Sequence, residues 1–151
     1  MRKFVHLLPL LLSAWLVAVP AVAATQEPGS PADDAGGAGA AIRGVIQAQL
    51  DAFRRDDGEA AFAHASPGIR AMFGDAATFL GMVRSGYAPV YRPREVEFRD
   101  LGLEDGRPTQ RVLLIGPDGA PVVARYTMER QPDGSWRIGG CILEKAPDVT
   151  T

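Results

Sequence analysis

Apolar residues between positions 42 and 83 recur at helical spacing. In AAIRGVIQAQLDAFRRDD, Ile42, Val45, Ile46, Leu50 and Phe53 fall three or four residues apart. That stripe predicts one amphipathic helix, which Gly44 weakens slightly. Asp56, with Glu59 three residues on, has the form of a capping box. The helix it would start carries Ala60, Ala61, Phe62 and Ala65. Ser66-Pro67 joins a hydroxyl N-cap to a proline at the first helical position. A short helix with Ile69, Met72 and Phe73 then stops at Gly74. Asp75 caps a further helix, with Phe79, Leu80, Met82 and Val83 inward, ending near Gly86.

YAPVYRP breaks this pattern, and its prolines, Pro89 and Pro93, predict extended backbone. The period then becomes two. In REVEF, Val96 and Phe98 oppose Glu95 and Glu97, while Leu101 and Leu103 fall one residue out of phase, which predicts a bulge near Arg99 and Asp100. Asp105-Gly106, Asp118-Gly119 and Asp133-Gly134 separate the apolar runs TQRVLLIG, PVVARYTMERQ and SWRIGGCILE. Asp-Gly between such runs marks hairpins, so a four-stranded antiparallel meander follows. Helices first and strands afterwards define the fold class as α+β, with N-terminal helices packed on a curved sheet. Val122, Ala124, Tyr126 and Met128 form the apolar face of the third strand; Val123, Arg125, Thr127 and Glu129 form a mixed one. In the last strand Trp136, Ile138 and Ile142 share one side and Arg137, Cys141 and Leu143 the other. Both sides are partly apolar, so this strand is expected to be central or covered twice.

The ends of the chain change the picture. MRKFVHLLPLLLSAWLVAVPAVAA has a basic start, an apolar run from Leu7 to Val19, and Ala21-Val22-Ala23 as a cleavage site. Residues 1–23 therefore read as a signal peptide. The run is short for a membrane span and is broken by Pro9 and Ser13. No stable membrane anchor is expected after cleavage, and no cysteine follows the site for a lipid. The expected location is periplasmic or secreted. Residues 24–39 are rich in Gly, Pro, Ala and Asp without periodicity and read as a disordered tether. Residues 40–146 form one domain and 147–151 a C-terminal tail. Cleavage after Ala23 leaves 128 residues, with 14 basic against 18 acidic side chains, a net charge of −4. That balance argues against nucleic acid as a partner.

The words VIQAQLDAFRRDDGEAAFAHASPGIRAMFG (45–74), FLGMVRSGYAPVYRP (79–93) and DGSWRIGGCIL (133–143) resemble a bacterial exported family known as domain of unknown function 4864. The resemblance covers most of residues 41–146 and carries no activity with it. The helices-then-sheet order is also similar to the nuclear-transport-factor-2-like fold, the cone shared by ketosteroid isomerases and polyketide cyclases. It implies a cone-like cavity with an open end.

Candidate chemistry is sparse. Cys141 is the only cysteine, so no internal disulfide can form. It is read chiefly as a free structural thiol packed as a small hydrophobe. Against that stand a thiol activated by Arg137 or Arg125, and an intermolecular bridge. Gly139 and Gly140 beside it predict a close backbone approach or a bend. After signal cleavage His64 is the only histidine, so no zinc set can be assembled, and no metal or other cofactor is expected. Asp56, Asp57 and Glu59 read as capping groups rather than calcium ligands. No phosphate loop occurs, and no serine stands in a G-x-S-x-G context.

GYAPVYRPR, where helices hand over to sheet, holds tyrosine and arginine in a pattern suited to binding. It reads equally as a rigid connector. Tyr87, Tyr91, Arg92 and Arg125 are the candidate ligand-binding residues. The expected role is non-catalytic: holding a small apolar or anionic ligand, or a partner protein, at the mouth of the cone. The alternative is a cofactor-free isomerase or cyclase, with Asp57 or His64 as base and Tyr87, Tyr91 or Tyr126 for an oxyanion. A homodimer through the outer sheet face is a third reading.

Overall fold

The computed structural model describes residues 31–147, with side chains from residue 35. The signal peptide, the first part of the tether (24–30) and residues 148–151 lie outside the described residues. Five helices precede four strands: α1 (Pro31–Arg54), α2 (Gly58–Ala63), α3 (Pro67–Phe73), α4 (Ala76–Gly86), α5 (Ala88–Tyr91), β1 (Glu95–Glu104), β2 (Arg107–Ile115), β3 (Pro121–Arg130) and β4 (Trp136–Lys145). The sheet is antiparallel in the order β1-β2-β3-β4, the expected α+β meander. No helix among the described residues is long and apolar enough to cross a membrane.

α1 is longer than its buried stripe. Residues 31–39, assigned above to the tether, form its first turns. Alanine is the best helix former and Pro31 suits a first turn, so helix continues where no core contact requires it. Ile42, Ile46, Leu50 and Phe53 are buried as their spacing predicts. At the far end the boundary moves by one residue. Asp57, not Asp56, caps α2, accepting from the Ala60 amide at 3.0 Å. Asp56 instead takes a left-handed conformation (φ 57°) just past the end of α1.

The other caps fall where expected. Ser66 Oγ accepts from the Ile69 amide at 3.4 Å, and Asp75 Oδ1 from the Thr78 amide at 2.7 Å. Ser66 is buried, so Ser66→Ala is expected to lower stability by about 1 kcal/mol. A urea titration checks this as a lower midpoint at unchanged slope.

YAPVYRP is not extended throughout. Ala88–Tyr91 is one helical turn with Pro89 inside its first turn, where no amide donor is needed. Tyr87 before the turn (φ −132°, ψ 45°) and Arg92 ahead of Pro93 (φ −139°, ψ 64°) leave the helical region.

The predicted bulge in β1 lies between Phe98 and Leu101. Buried Gln110 fastens it from β2, its amide nitrogen donating to the Arg99 carbonyl at 2.9 Å and the Asp100 carbonyl at 3.3 Å. A second bulge lies where Thr127 pairs with Gly140 but Met128 pairs with Ile138. It corrects the faces of the last strand. Skipping Gly139 puts Cys141 and Leu143 on the helix side with Ile138, opposite Tyr126 and Ala124, and turns Ile142 outward at 57% exposure. A Cβ on Gly139 would come within 2.8 Å of the Glu129 carboxyl carbon, so only glycine fits without displacing that side chain.

β4 is an edge strand, not a central one. Its edge is partly covered by the loop before α3. The Ile138 amide donates to the His64 carbonyl and the Ser66 amide to the Ile138 carbonyl, each at 2.9 Å. The core lies between α1, α2, α4 and the inner sheet face, where Val112, Leu114, Ala124, Tyr126 and Met128 are buried.

Candidate functional site

An apolar cavity of about 240 Å³ opens between α3, α4, α5 and the inner faces of β3 and β4. Helical spacing builds one wall: Ile69, Met72 and Phe73 of α3 and Phe79, Met82 and Val83 of α4 all face it. Phe79 sits at its base, with ring centroids 5.9 Å from Phe53, 5.3 Å from Phe62 and 5.5 Å from Phe73. Met72 is 73% exposed at the rim. Val90 of α5, Ile138 and Gly140 complete the apolar lining.

Four lining residues carry side-chain polar groups. Buried Gln49 is committed to the wall, its amide donating to the Ala61 carbonyl at 3.1 Å. The Tyr87 hydroxyl donates to the Cys141 carbonyl at 3.2 Å, tying the end of α4 to the bulged strand. Tyr126 and Cys141 are cross-strand partners on the inner face. Some of the Cys141 surface remains accessible, but the thiol itself is surrounded by protein, and burial pushes it up from 9.0 to about 12. Tyr126 is fully buried. Burial first, and the neighbouring thiol second, push its hydroxyl well above the usual phenol range. Both groups are neutral donors at neutral pH.

The four sequence-selected residues do not meet. Tyr87 lines the cavity. Tyr91 and Arg92 belong to a surface clip around Asp56. The Tyr91 hydroxyl donates to Asp56, and Arg84 and Arg92 each reach its carboxylate at 2.9 Å. The Arg92 guanidinium lies 4.0 Å from the Tyr91 ring centroid. The hydrogen bond from Tyr91, then that from Arg84, hold Asp56 below the usual carboxylate range. This clip joins the α1–α2 turn to α4 and α5.

Arg125 lies on the opposite, outer sheet face, paired with Glu104 at 2.6 Å and with Glu144. It cannot activate Cys141, because its cross-strand partner is the outward Ile142. Arg137 pairs across the strand with Glu129, likewise away from the thiol. Of the two bases considered, Asp57 is spent on its cap and His64 lies outside the lining. Burial and then Arg137 hold the His64 imidazole below its ordinary value. Among the described residues no group of three or more His, Cys, Asp or Glu is placed to hold a metal ion.

Sequence reasoning assigned Phe79 and Met82 to the core, passed over Gln49, and named Tyr126 only for the oxyanion of the enzyme alternative, not for ligand binding. Tyr126 did carry a signal: it is the one hydroxyl on the apolar face of its strand.

Fold and site together define a small α+β domain whose helices enclose an apolar pocket against one face of an antiparallel meander. The chain belongs to the family described as domain of unknown function (DUF4864), which it matches over residues 36–151. No curated protein and no solved structure matches it.

Proposed function

We propose that this is an exported, non-catalytic domain that binds a small apolar molecule in the pocket between α3, α4, α5 and the sheet. The observation that carries this reading is the cavity itself: about 240 Å³, lined almost wholly by apolar side chains, and open at Met72. Ligand sites in small domains have this character, apolar walls with a few placed polar groups. The basic, apolar and small-residue order of residues 1–23 supports export. An isomerase or cyclase would need a carboxylate or imidazole facing the ligand. The described lining supplies neither, and a thiol near 12 is a poor nucleophile at neutral pH.

The test uses methionines carrying ¹³C-labelled methyl groups, with indane as the probe. Met72 and Met82 line the cavity, whereas Met128 is buried in the core outside its lining. Saturable shifts of the Met72 and Met82 methyl signals, with Met128 little changed, are expected. No saturable shift up to the solubility of indane would refute the pocket as a binding site.

A further inference from the structure

We propose that the molecule held in this pocket is uncharged and carries an acceptor oxygen that the Tyr126 hydroxyl binds. This rests on the binding reading above and adds the ligand's chemical class.

Tyr126 is 0% exposed and borders the cavity, yet its hydroxyl has no oxygen or nitrogen hydrogen-bond partner among the described residues. Buried hydroxyls are normally paired, and phenylalanine would fill the same space without that cost. The neighbouring Cys141 thiol acts on the hydroxyl by charge and by a sulfur hydrogen bond, but sulfur is a weak partner and leaves the phenol's capacity for an oxygen acceptor unmet. The tyrosine is protonated at any physiological pH, so the unmet capacity includes a donor. An acceptor oxygen on a bound molecule meets it.

The charge follows from the walls. The described lining has no Lys, Arg, His, Asp or Glu, so an ionised ligand would be desolvated without a counter-charge. Three of the arginines are held in ion pairs outside the lining: Arg84 and Arg92 with Asp56, Arg125 with Glu104 and Glu144.

Size sets the remaining limit. A cavity of about 150 Å³ accommodates benzene, so 240 Å³ suits a molecule of about ten non-hydrogen atoms. A bicyclic ketone, ester or lactone fits this description.

The test compares 1-indanone with indane, which share a skeleton and differ by the ketone oxygen, on the wild-type protein and Tyr126→Phe. Loss of one neutral hydrogen bond corresponds to a factor of about 2 to 13 in affinity. Tyr126→Phe is therefore expected to weaken 1-indanone by about fivefold and to leave indane within about twofold. An unchanged ratio of the two affinities in Tyr126→Phe would overturn the assignment. Binding of indane but not of 1-indanone to the wild type would overturn it too, and would leave the pocket reading standing. Failure of both probes on the wild type would remove the pocket reading as well.

Discussion

Cys141 in the folded protein is expected to react with iodoacetamide at pH 8 about a thousandfold more slowly than after unfolding. The thiolate is the reacting species. A thiol at 9.0 is about one-tenth ionised at pH 8, and one pushed up to about 12 is ionised to about one part in ten thousand. Mass spectrometry of time points with and without urea reads the ratio directly. Rapid native labelling would mean that the thiol escapes the wall formed by Tyr126 and the bulge. The same shift makes stability depend on pH. Well below pH 9 the thiol is protonated in both states and the folded protein loses nothing. As pH rises from 9 toward 12 only the unfolded chain ionises, so stability falls by up to about 1.4 kcal/mol per pH unit. Tyr126, also raised, adds to the fall above pH 10. Cys141→Ala is expected to flatten the curve between pH 9 and 10.

Phe79→Ala is expected to lower stability by about 3 to 5 kcal/mol. The ring is almost fully buried and meets three other phenylalanines, from α1, α2 and α3. Its loss would leave a void joined to the existing cavity, and α4 cannot close it without breaking the contacts of Val83 and the Asp75 cap. A domain of this size has only about 5 to 15 kcal/mol of stability, so the variant would be marginal at room temperature. A loss below about 1.5 kcal/mol in denaturant titrations would show that the helices collapse onto the gap. The cavity walls would then be far more plastic than their packing implies.

Much of this fold is legible in the sequence because its signals are local. A cap at Ser66 or Asp75 depends on the next three residues, and a turn at Asp105-Gly106 on two (φ 49° and 74°). The bulge in β1 is legible for the same reason, since the apolar phase changes within one strand. The faces of β4 are not, because the register shift that skips Gly139 appears only in its pairing with the neighbouring strand, where Gly139 lies against Glu129. α5 is hidden by its prolines, which forbid a helix interior but not a first turn. The site is less legible than the fold. Tyr87 is found because it adjoins a proline-rich connector. Tyr91, Arg92 and Arg125 have suitable chemistry, but a hydrogen bond from Tyr91 to Asp56 and ion pairs of the arginines with Asp56, Glu104 and Glu144 hold them at the surface. A cavity is space left between elements, and no residue pattern marks it. Only an unpaired hydroxyl on an apolar face points to one.

The order of the meander leaves two strands, β1 and β4, at the rims of the sheet. Bare rims invite other chains to add a strand, the first step of aggregation. Here each rim is spoiled. β1 follows Pro93, exposes Glu95 and Glu97, and is kinked by the bulge that Gln110 fastens. β4 gives up Ile138 to the loop before α3, bends at Gly139, and ends on Glu144 and Lys145. An added strand would meet the bulge midway along β1 and the occupied Ile138 on β4. The β4 bulge that helps shape the pocket wall thus also spoils one rim of the sheet for strand addition.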